Sequence, residues 1–208
     1  MNIWWEKKEG ENIWVEITDR SDLGKNIIAP KTAQKGKITS GYELLKYVSE
    51  GDLVFHWWRR PKSKELRGFY GYSSVVGNIQ DGVIPWKSRG RYAKDEAEKD
   101  MPATVWNLDG FTEFKNPILI GDINIKKLQI LSLLDKLEKV HGKPVYFPFC
   151  ERQGKLAVNQ TYFAKLPQDF LRVMDIRSSN RIQNEVANLI NSPRISPEGK
   201  KKLTMGIS

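Results

Sequence analysis

One stretch, Gly51–Trp86, constrains the fold of this 208-residue chain more than any other. Two runs with strand character, Leu53–Trp58 and Gly68–Val76, flank a basic hinge, and Trp86 closes the stretch. Aromatic residues are dense in both runs. Aromatic side chains beside positive charge are typical of a pocket for a flat ring carried on a polyanion. The alternative is a well-packed hairpin with a solvated basic turn.

The charge of the chain favours an acidic partner. The formal net charge is +9, which indicates nucleic acid first and a membrane surface second. The excess is concentrated between Arg59 and Lys94, where lysines and arginines far outnumber Glu65 and Asp81. This basic segment borders the aromatic stretch.

The composition predicts a soluble protein of a reducing compartment. No apolar run is long enough to span a bilayer, and charge follows Trp5 at once, so the sequence shows no secretory signal. The single cysteine, Cys150, excludes a disulfide framework within the chain. We therefore expect a cytoplasmic protein with no membrane partner.

The order of predicted elements is strands first and helices later. Besides the two central runs, strands are predicted at 2–5, 12–17, 27–30 and 103–114, and 87–101 is predicted as a charged loop. Helices are predicted at 40–49, from Asp122 to about His141, at 167–174 and at 178–190. In the second helix we expect one apolar stripe, formed by Ile125, Leu128, Leu131, Leu134 and Leu137. The pattern predicts an α+β domain with a curved sheet.

The residues that common catalytic sites need are missing. His56 and His141 are the only histidines, too few for a zinc site or an HNH nuclease site. No phosphate-binding loop is present, and neither histidine lies in a serine-hydrolase motif. Asp109 followed by Glu113-Phe114-Lys115 is a weak match to a carboxylate nuclease motif. We predict no catalytic residue, metal site or cofactor in this chain, and a divalent metal only if a nuclease domain is attached.

The motifs of the central stretch resemble a known family. GDLVF, followed by GFYGYSSV, is similar to the EVE domains and more distantly to the YTH domains, both of the PUA-like superfamily. The similarity continues at Ile3-Trp4-Trp5, at Leu23–Lys31, at Tyr146–Phe149 and at Asn159–Tyr162. It implies a small curved β-barrel flanked by helices that holds one modified or flipped base in an aromatic cage. The glycine-rich stretch of YTH domains is absent, so their adenine specificity is not carried over.

The resemblance and the residue types together give a candidate base pocket. Trp86 follows the second central strand, where the family has a cage tryptophan. Trp57 or Trp58 would supply the opposite wall; only one of them can point inward, because strand side chains alternate, and Trp57 is favoured. Asn159 and Gln160 are candidate readers of the base edge. The remaining candidates are Ala29, Tyr70, Ser73 and Tyr162.

Basic side chains around the pocket are predicted to contact phosphates. Phosphate contacts dominate such interfaces. The candidates are Lys31, Lys35, Lys37, Arg59, Arg60, Lys62, Lys64, Lys87, Arg89 and Arg91.

The implied function is recognition of double-stranded DNA that carries a modified base, with 5-methylcytosine or 5-hydroxymethylcytosine as the expected mark. Residues 1–175 would form the reader domain, and 176–208 would form a helix and linker leading to a nuclease, as in modification-dependent restriction endonucleases. An RNA reader of the YTH or PUA kind and a nuclease with an unrecognised carboxylate metal site are the alternatives. A homodimer is also left open.

Overall fold

The protein forms one six-stranded sheet, a small separate hairpin and short helices. A computed structural model describes residues 1–8, 10–33, 36–59, 63–87 and 97–176. The strands are β1 (Ile13–Thr18), β2 (Asn26–Pro30), β3 (Leu53–Trp58), β4 (Gly68–Trp86), β5 (Lys99–Leu119), β6 (Phe149–Arg152), β7 (Lys155–Val158) and β8 (Phe163–Lys165). The large sheet has the order β2-β5-β4-β3-β1-β8, and β6 pairs only with β7.

The sheet is curled, and Tyr162 bridges its two edges. Within the sheet β1 and β3 run parallel, while β8 pairs antiparallel with β1. The carbonyl of Tyr162, just before β8, accepts from the Ile17 N–H at 2.7 Å. Its hydroxyl accepts from the Ile28 N–H of the opposite edge strand, β2, at 3.0 Å. The predicted α+β class with a curved sheet is therefore confirmed.

The hairpin of β4 and β5 is the longest element of the fold. Its register shifts at three places, between Phe69 and Gly71, between Tyr72 and Ser74 and between Val76 and Gln80. Irregularities of this kind bend a strand and increase its twist. The hairpin continues past Val76 to the pair Trp86 and Lys99, so residues 99–101 belong to a strand and not to the predicted loop.

The helices are short except for one. They are α1 (Ser40–Glu43), α2 (Ile120–Ile125), α3 (Lys127–His141) and α4 (Gln168–Val173), with 3₁₀ turns at Trp4–Lys7, Leu44–Tyr47 and Lys64–Leu66. The predicted helix of 122–141 starts at Ile120 and is interrupted at Lys126. Among the described residues, no helix is long and apolar enough to cross a membrane.

The interruption at Lys126 changes which side chains of this helical segment are buried. Ile130, Leu133 and Leu137 of α3 face the core, while Ile125 and Leu128 are each 80% exposed. The predicted single stripe is therefore wrong in its first half. Ile125 precedes the interruption at Lys126, and at about 100° per residue Leu128 lies about 180° from Leu137 around α3.

The predicted strand at residues 2–5 is also wrong. Trp4 and Trp5 lie in a 3₁₀ turn, and both are buried. The Trp4 indole N–H donates to the Val145 carbonyl at 3.2 Å, and Trp5 packs edge-on against Trp14. Consecutive strand residues point to opposite faces, so a turn serves better than a strand to bury both rings in one core.

Candidate functional site

A wide cleft of about 1000 Å³ opens between the sheet and the β6–β7 hairpin. We call it the cationic cleft, because six basic side chains and only two acidic ones line it. The lining is Trp57, Arg59, Lys64, Glu65, Arg67, Leu119–Asp122, Asn124, Lys127, Arg152 and Gly154–Gln160.

The walls of the cationic cleft come from three parts of the chain. β3 and the segment before β4 supply Trp57, Arg59 and Arg67, while α2 supplies the opposite side. The β6–β7 hairpin supplies the third wall through a tight turn in which Gln153 and Gly154 have φ of 50° and 75°. Asn124 fastens this hairpin to α2, because its amide both donates to the Leu156 carbonyl (3.1 Å) and accepts from the Leu156 N–H (2.8 Å).

The basic side chains of the cleft differ in how far they are neutralised. Arg59 contacts Asp19, with Nε 3.2 Å from Oδ1, and Lys127 forms an ion pair with Glu151 while donating to the Gly154 carbonyl. Lys64 and Lys155 are exposed. The lining therefore keeps a clear excess of positive charge beside solvent.

Two buried nitrogens of the cleft residues lack an acceptor. The Trp57 Nε1 and the Arg67 Nε are shielded from solvent and have no hydrogen-bond partner among the described residues. Trp57 is 1% exposed, and its ring packs edge-on against Phe69 and Phe149 at centroid distances of 5.0 and 5.3 Å. What this tryptophan can offer a ligand is its N–H, because its ring is enclosed.

Five of the residues predicted from the sequence meet in the cationic cleft. Trp57, Asn159 and Gln160 of the predicted base pocket line it together with the predicted phosphate contacts Arg59 and Lys64. The Asn159 amide donates to the Phe147 carbonyl at 2.8 Å, which fixes its orientation. Gln160 is exposed at the rim.

Ser73 and Tyr162 belong to a different place, a buried polar network with Glu16 and His56. Glu16 Oε2 lies 2.8 Å from His56 Nδ1, and His56 Nε2 lies 3.0 Å from Ser73 Oγ. The Tyr162 hydroxyl donates to Glu16 Oε1 at 2.8 Å. The polar groups of these side chains thus satisfy one another across β1, β3 and β4.

The network has the order of a serine-hydrolase triad, but it is closed. Ser73 and His56 are both 0% exposed. The ring of Phe111 covers His56 at a centroid distance of 5.6 Å. Gly24 and Gly71 make room for Phe111, since a Cβ on either glycine would come within 2.8 Å of this side chain. The arrangement holds the sheet together and gives a substrate no access to Ser73.

Burial and the neighbouring carboxylate shift the titration of Tyr162. Burial of its hydroxyl, followed by the charge and the hydrogen bond of Glu16, raises the pKa of Tyr162 well above its usual value near 10. The phenol therefore remains a protonated donor to Glu16 at all ordinary pH values.

The structure places the other predicted pocket residues away from the cationic cleft. Tyr70 packs edge-on against Trp58 and donates its hydroxyl to the Leu66 carbonyl at 2.7 Å. Ala29 is buried in β2 opposite Thr104. Trp86 is half-buried at the far end of β4, whereas Trp57 pairs with Phe69 near the start of β4. Roughly 55 Å of strand path separates the two ends at about 3.3 Å per residue.

The predicted phosphate contacts are likewise divided. Lys31 forms an ion pair with Asp81 at 2.7 Å, and Lys37 and Lys87 are exposed outside the cleft. Five more candidates lie outside the described residues: Lys35, Arg60, Lys62, Arg89 and Arg91. The predicted helix at 178–190 and the tail beyond it also lie outside them.

Sequence reasoning missed the basic side chains that α3 and the β6–β7 hairpin bring to the cleft. Lys127, Arg152 and Lys155 are not among the predicted contacts, although two apolar runs, Val145–Cys150 and Leu156–Val158, separated by five residues that include Gly154 are a hairpin signal. Arg67 lies in the basic hinge between the two central runs, but the sequence predicts no role for it. Only the docking of the hairpin beside α2 shows that these charges share one site.

The part of the chain that the structure describes contains no group of three or more His, Cys, Asp or Glu side chains that could hold a metal ion. Asp109 and Glu113 of the weak nuclease motif are both exposed on β5. The cationic cleft, by contrast, gathers donors and positive charge around a space open to solvent. Fold and site together define an α+β domain with a positively charged cleft open to solvent.

No family model and no curated protein matches the chain. Among solved structures, it is similar to a Pseudomonas putida protein at 12% identity, over 79% of this chain and 97% of the other, with a TM-score of 0.41. It is similar to human THYN1, which was solved in complex with 5-methylcytosine-containing DNA. The identity is 12%, over 80% of this chain and 98% of THYN1, with a TM-score of 0.39. It is also similar to the N-terminal domain of Staphylothermus marinus McrB at 13% identity, over 80% of this chain and 94% of that domain, with a TM-score of 0.39.

Proposed function

We propose that this chain is an EVE-type, PUA-like domain that recognises modified double-stranded DNA by binding it over the cationic cleft. The observation that carries the proposal is the cleft itself, in which an excess of basic side chains surrounds two orienting amides, those of Asn159 and Gln160. Neutralisation of phosphates by lysine and arginine supplies most of the affinity in such interfaces. Base edges are read by amides and similar groups placed among these charges.

The dimensions of the cleft suit an extruded nucleotide. Its volume of about 1000 Å³ is at the upper end of the ~300–1,000 Å³ usual for sites that enclose a small molecule. Leu119, Ile120 and Leu156 give it an apolar wall, while Lys64 and Lys155 extend from its rim. Flipping a base costs a few kcal/mol of lost stacking and pairing, which contacts to the base and its flanking phosphates would offset.

The finer parts of the proposal follow the resemblance. The mark would be 5-methylcytosine or 5-hydroxymethylcytosine, flipped into the cleft, and the chain would act in the cytoplasm as the specificity domain of a modification-dependent restriction endonuclease. Residues 1–175 would suffice for recognition without a cofactor, and any divalent metal would belong to an attached nuclease.

A panel of matched ligands tests the proposal. Fluorescence anisotropy would compare duplexes of one sequence that carry cytosine, 5-methylcytosine, 5-hydroxymethylcytosine or methylated adenine, with an RNA of the same sequence as the other arm. We expect a modified-cytosine duplex to bind most tightly. Equal binding of all duplexes would contradict recognition of a mark, and tighter binding of RNA would favour the alternative reader.

A matched pair of variants connects the preference to the cleft. Gln160→Ala removes one amide at the cleft rim and should lower the preference for the modified duplex by about two- to tenfold, the range of a single hydrogen bond. Gln129→Ala is the control, because Gln129 is an exposed glutamine of α3 that does not line the cleft. An unchanged preference in Gln160→Ala would mean that the edge is read elsewhere.

A further inference from the structure

We infer that Trp57 and Arg67 form a donor pair that binds a phosphate oxygen at the base of the cationic cleft. In this assignment Trp57 binds through its indole N–H. Its ring does not stack on a base, contrary to the role that the sequence predicts. The inference rests on the proposed function, since it names which group of the nucleic acid this part of the cleft holds.

The geometry of β3 and β4 brings Trp57 and Arg67 to the same side of the sheet. Trp57 of β3 pairs with Phe69 of β4, so their side chains lie on one face of the sheet. Arg67 has an extended backbone and precedes Phe69 by two residues, and Arg59 follows Trp57 by two. Because strand side chains alternate in direction, Trp57, Arg59 and Arg67 all project to the same side, and all three line the cleft.

Both nitrogens are buried donors without an acceptor among the described residues. A buried donor without an acceptor is disfavoured, and the large majority of such groups are paired in native proteins. Trp57 Nε1 and Arg67 Nε are nevertheless both unpaired among the described residues, and both belong to the lining of one cleft. A ligand that brings an acceptor to this point would satisfy both.

Charge selects the kind of acceptor. Two guanidinium groups on one sheet face repel each other, and among the described residues only that of Arg59 has an ion pair, with Asp19. Phosphate oxygens match the fork of an arginine side chain and accept from neutral N–H donors as well. The two nitrogens are shielded from solvent, so binding requires side chains that surround them to move.

Trp58 provides an internal comparison. Its Nε1 is also buried without an acceptor among the described residues. Trp58 points to the opposite face, where it packs against Tyr70 at 5.2 Å, and it does not line the cleft. Both tryptophans thus have a buried indole N–H without an acceptor among the described residues, but only Trp57 lines the cleft.

The experiment follows the indole N–H signals of the full chain by NMR, with those of Trp57 and Trp58 assigned through Trp57→Phe and Trp58→Phe. Inorganic phosphate and a duplex without terminal phosphates are added separately. Movement of the Trp57 signal with the duplex would identify a backbone phosphate, and movement with inorganic phosphate alone would identify a free phosphate or a terminal one. The Trp58 signal should stay in place in both arms.

The same titration separates this inference from the proposed function. If the duplex binds and the Trp57 signal does not move, the donor pair is wrong and the proposed function stands. If phosphate moves the signal but no duplex binds, the donor pair stands and the proposed function falls. If neither probe moves the signal, the inference is overturned.

Affinity measurements give a second readout. Trp57→Phe should weaken duplex binding by about tenfold or more, the usual value for a hydrogen bond to a charged group, whereas Trp58→Phe should not. Arg67→Lys keeps the Trp57 ring and the positive charge but removes the Nε donor, so it tests the pair even if Trp57→Phe unfolds. Wild-type affinity in Arg67→Lys would contradict the donor pair.

Discussion

The cationic cleft and the buried polar network begin at adjacent residues of the same strand and differ in almost every property. His56 points into the network, where both of its ring nitrogens have partners. Trp57 points toward the cleft, and its indole nitrogen has none among the described residues. Polar groups that satisfy one another hold a fold together, whereas donors left unsatisfied beside an opening are available to a ligand.

This difference predicts that the network controls stability and the cleft controls binding. The largest expected effect is on the network. Glu16→Ala removes the acceptor of both His56 and Tyr162, and each buried group left unpaired costs about 1–3 kcal/mol. We expect the free energy of unfolding to fall by roughly 2–6 kcal/mol, measured from urea midpoints. Glu113→Ala, an exposed glutamate on β5, should change it by less than about 0.5 kcal/mol. Equal effects would mean that the network contributes no special stability.

The next effect is on the cleft. Replacing Lys64 and Lys155 together by alanine removes two exposed charges from its rim. The slope of log affinity against log salt should become shallower by about 2, with an affinity loss of about tenfold or more at low salt, while the unfolding midpoint stays the same. The control is Lys115→Ala with Lys136→Ala, which makes the same change in net charge outside the cleft. A similar loss in the control would show that total charge, and not the cleft, attracts DNA.

A smaller effect is expected in the buried polar network, where the free energy of unfolding depends on pH. The pKa of Tyr162 is raised in the folded protein, so the folded state keeps this proton where the unfolded state loses it. The stability that the protonated Tyr162 contributes is fully present below about pH 10. It decreases as the pH rises toward the raised pKa, by up to about 1.4 kcal/mol per pH unit. Thermal unfolding between pH 8 and 11 should show a steeper decline in wild type than in Tyr162→Phe. Parallel curves would contradict the raised pKa.

The smallest effect concerns Trp86, which lies far along β4 from Trp57. We expect Trp86→Ala to change duplex affinity, and the preference for a modified base, by less than about twofold, because the structure does not bring this ring to the cationic cleft. Anisotropy titrations of Trp86→Ala and Trp57→Phe with the same duplexes compare the two variants directly. A selective loss of the preference in Trp86→Ala would place the base at the far end of the hairpin.

The local pattern of the sequence was enough to predict the class of fold and several individual elements. β-Branched and aromatic residues predicted β2 and β3 almost to the residue. The basic hinge beside aromatic strands also drew attention to Trp57, Arg59 and Lys64, which do line the cleft. These predictions succeeded because backbone propensity, side-chain alternation and clustered charge are all local properties of the chain.

Only the tertiary structure decided which of the predicted residues share a site. The pairing of β4 with β5 carries Trp86 away from Trp57, and the closure of the sheet at Tyr162 takes that residue and Ser73 into the network with Glu16 and His56. The docking of the β6–β7 hairpin against Asn124 adds Arg152 and Lys155 to the cleft. Such contacts join residues that are distant in the sequence, 32 positions apart for Asn124 and Leu156 and 146 apart for Glu16 and Tyr162. They depend on strand register and on which buried polar groups find partners, neither of which local patterning specifies.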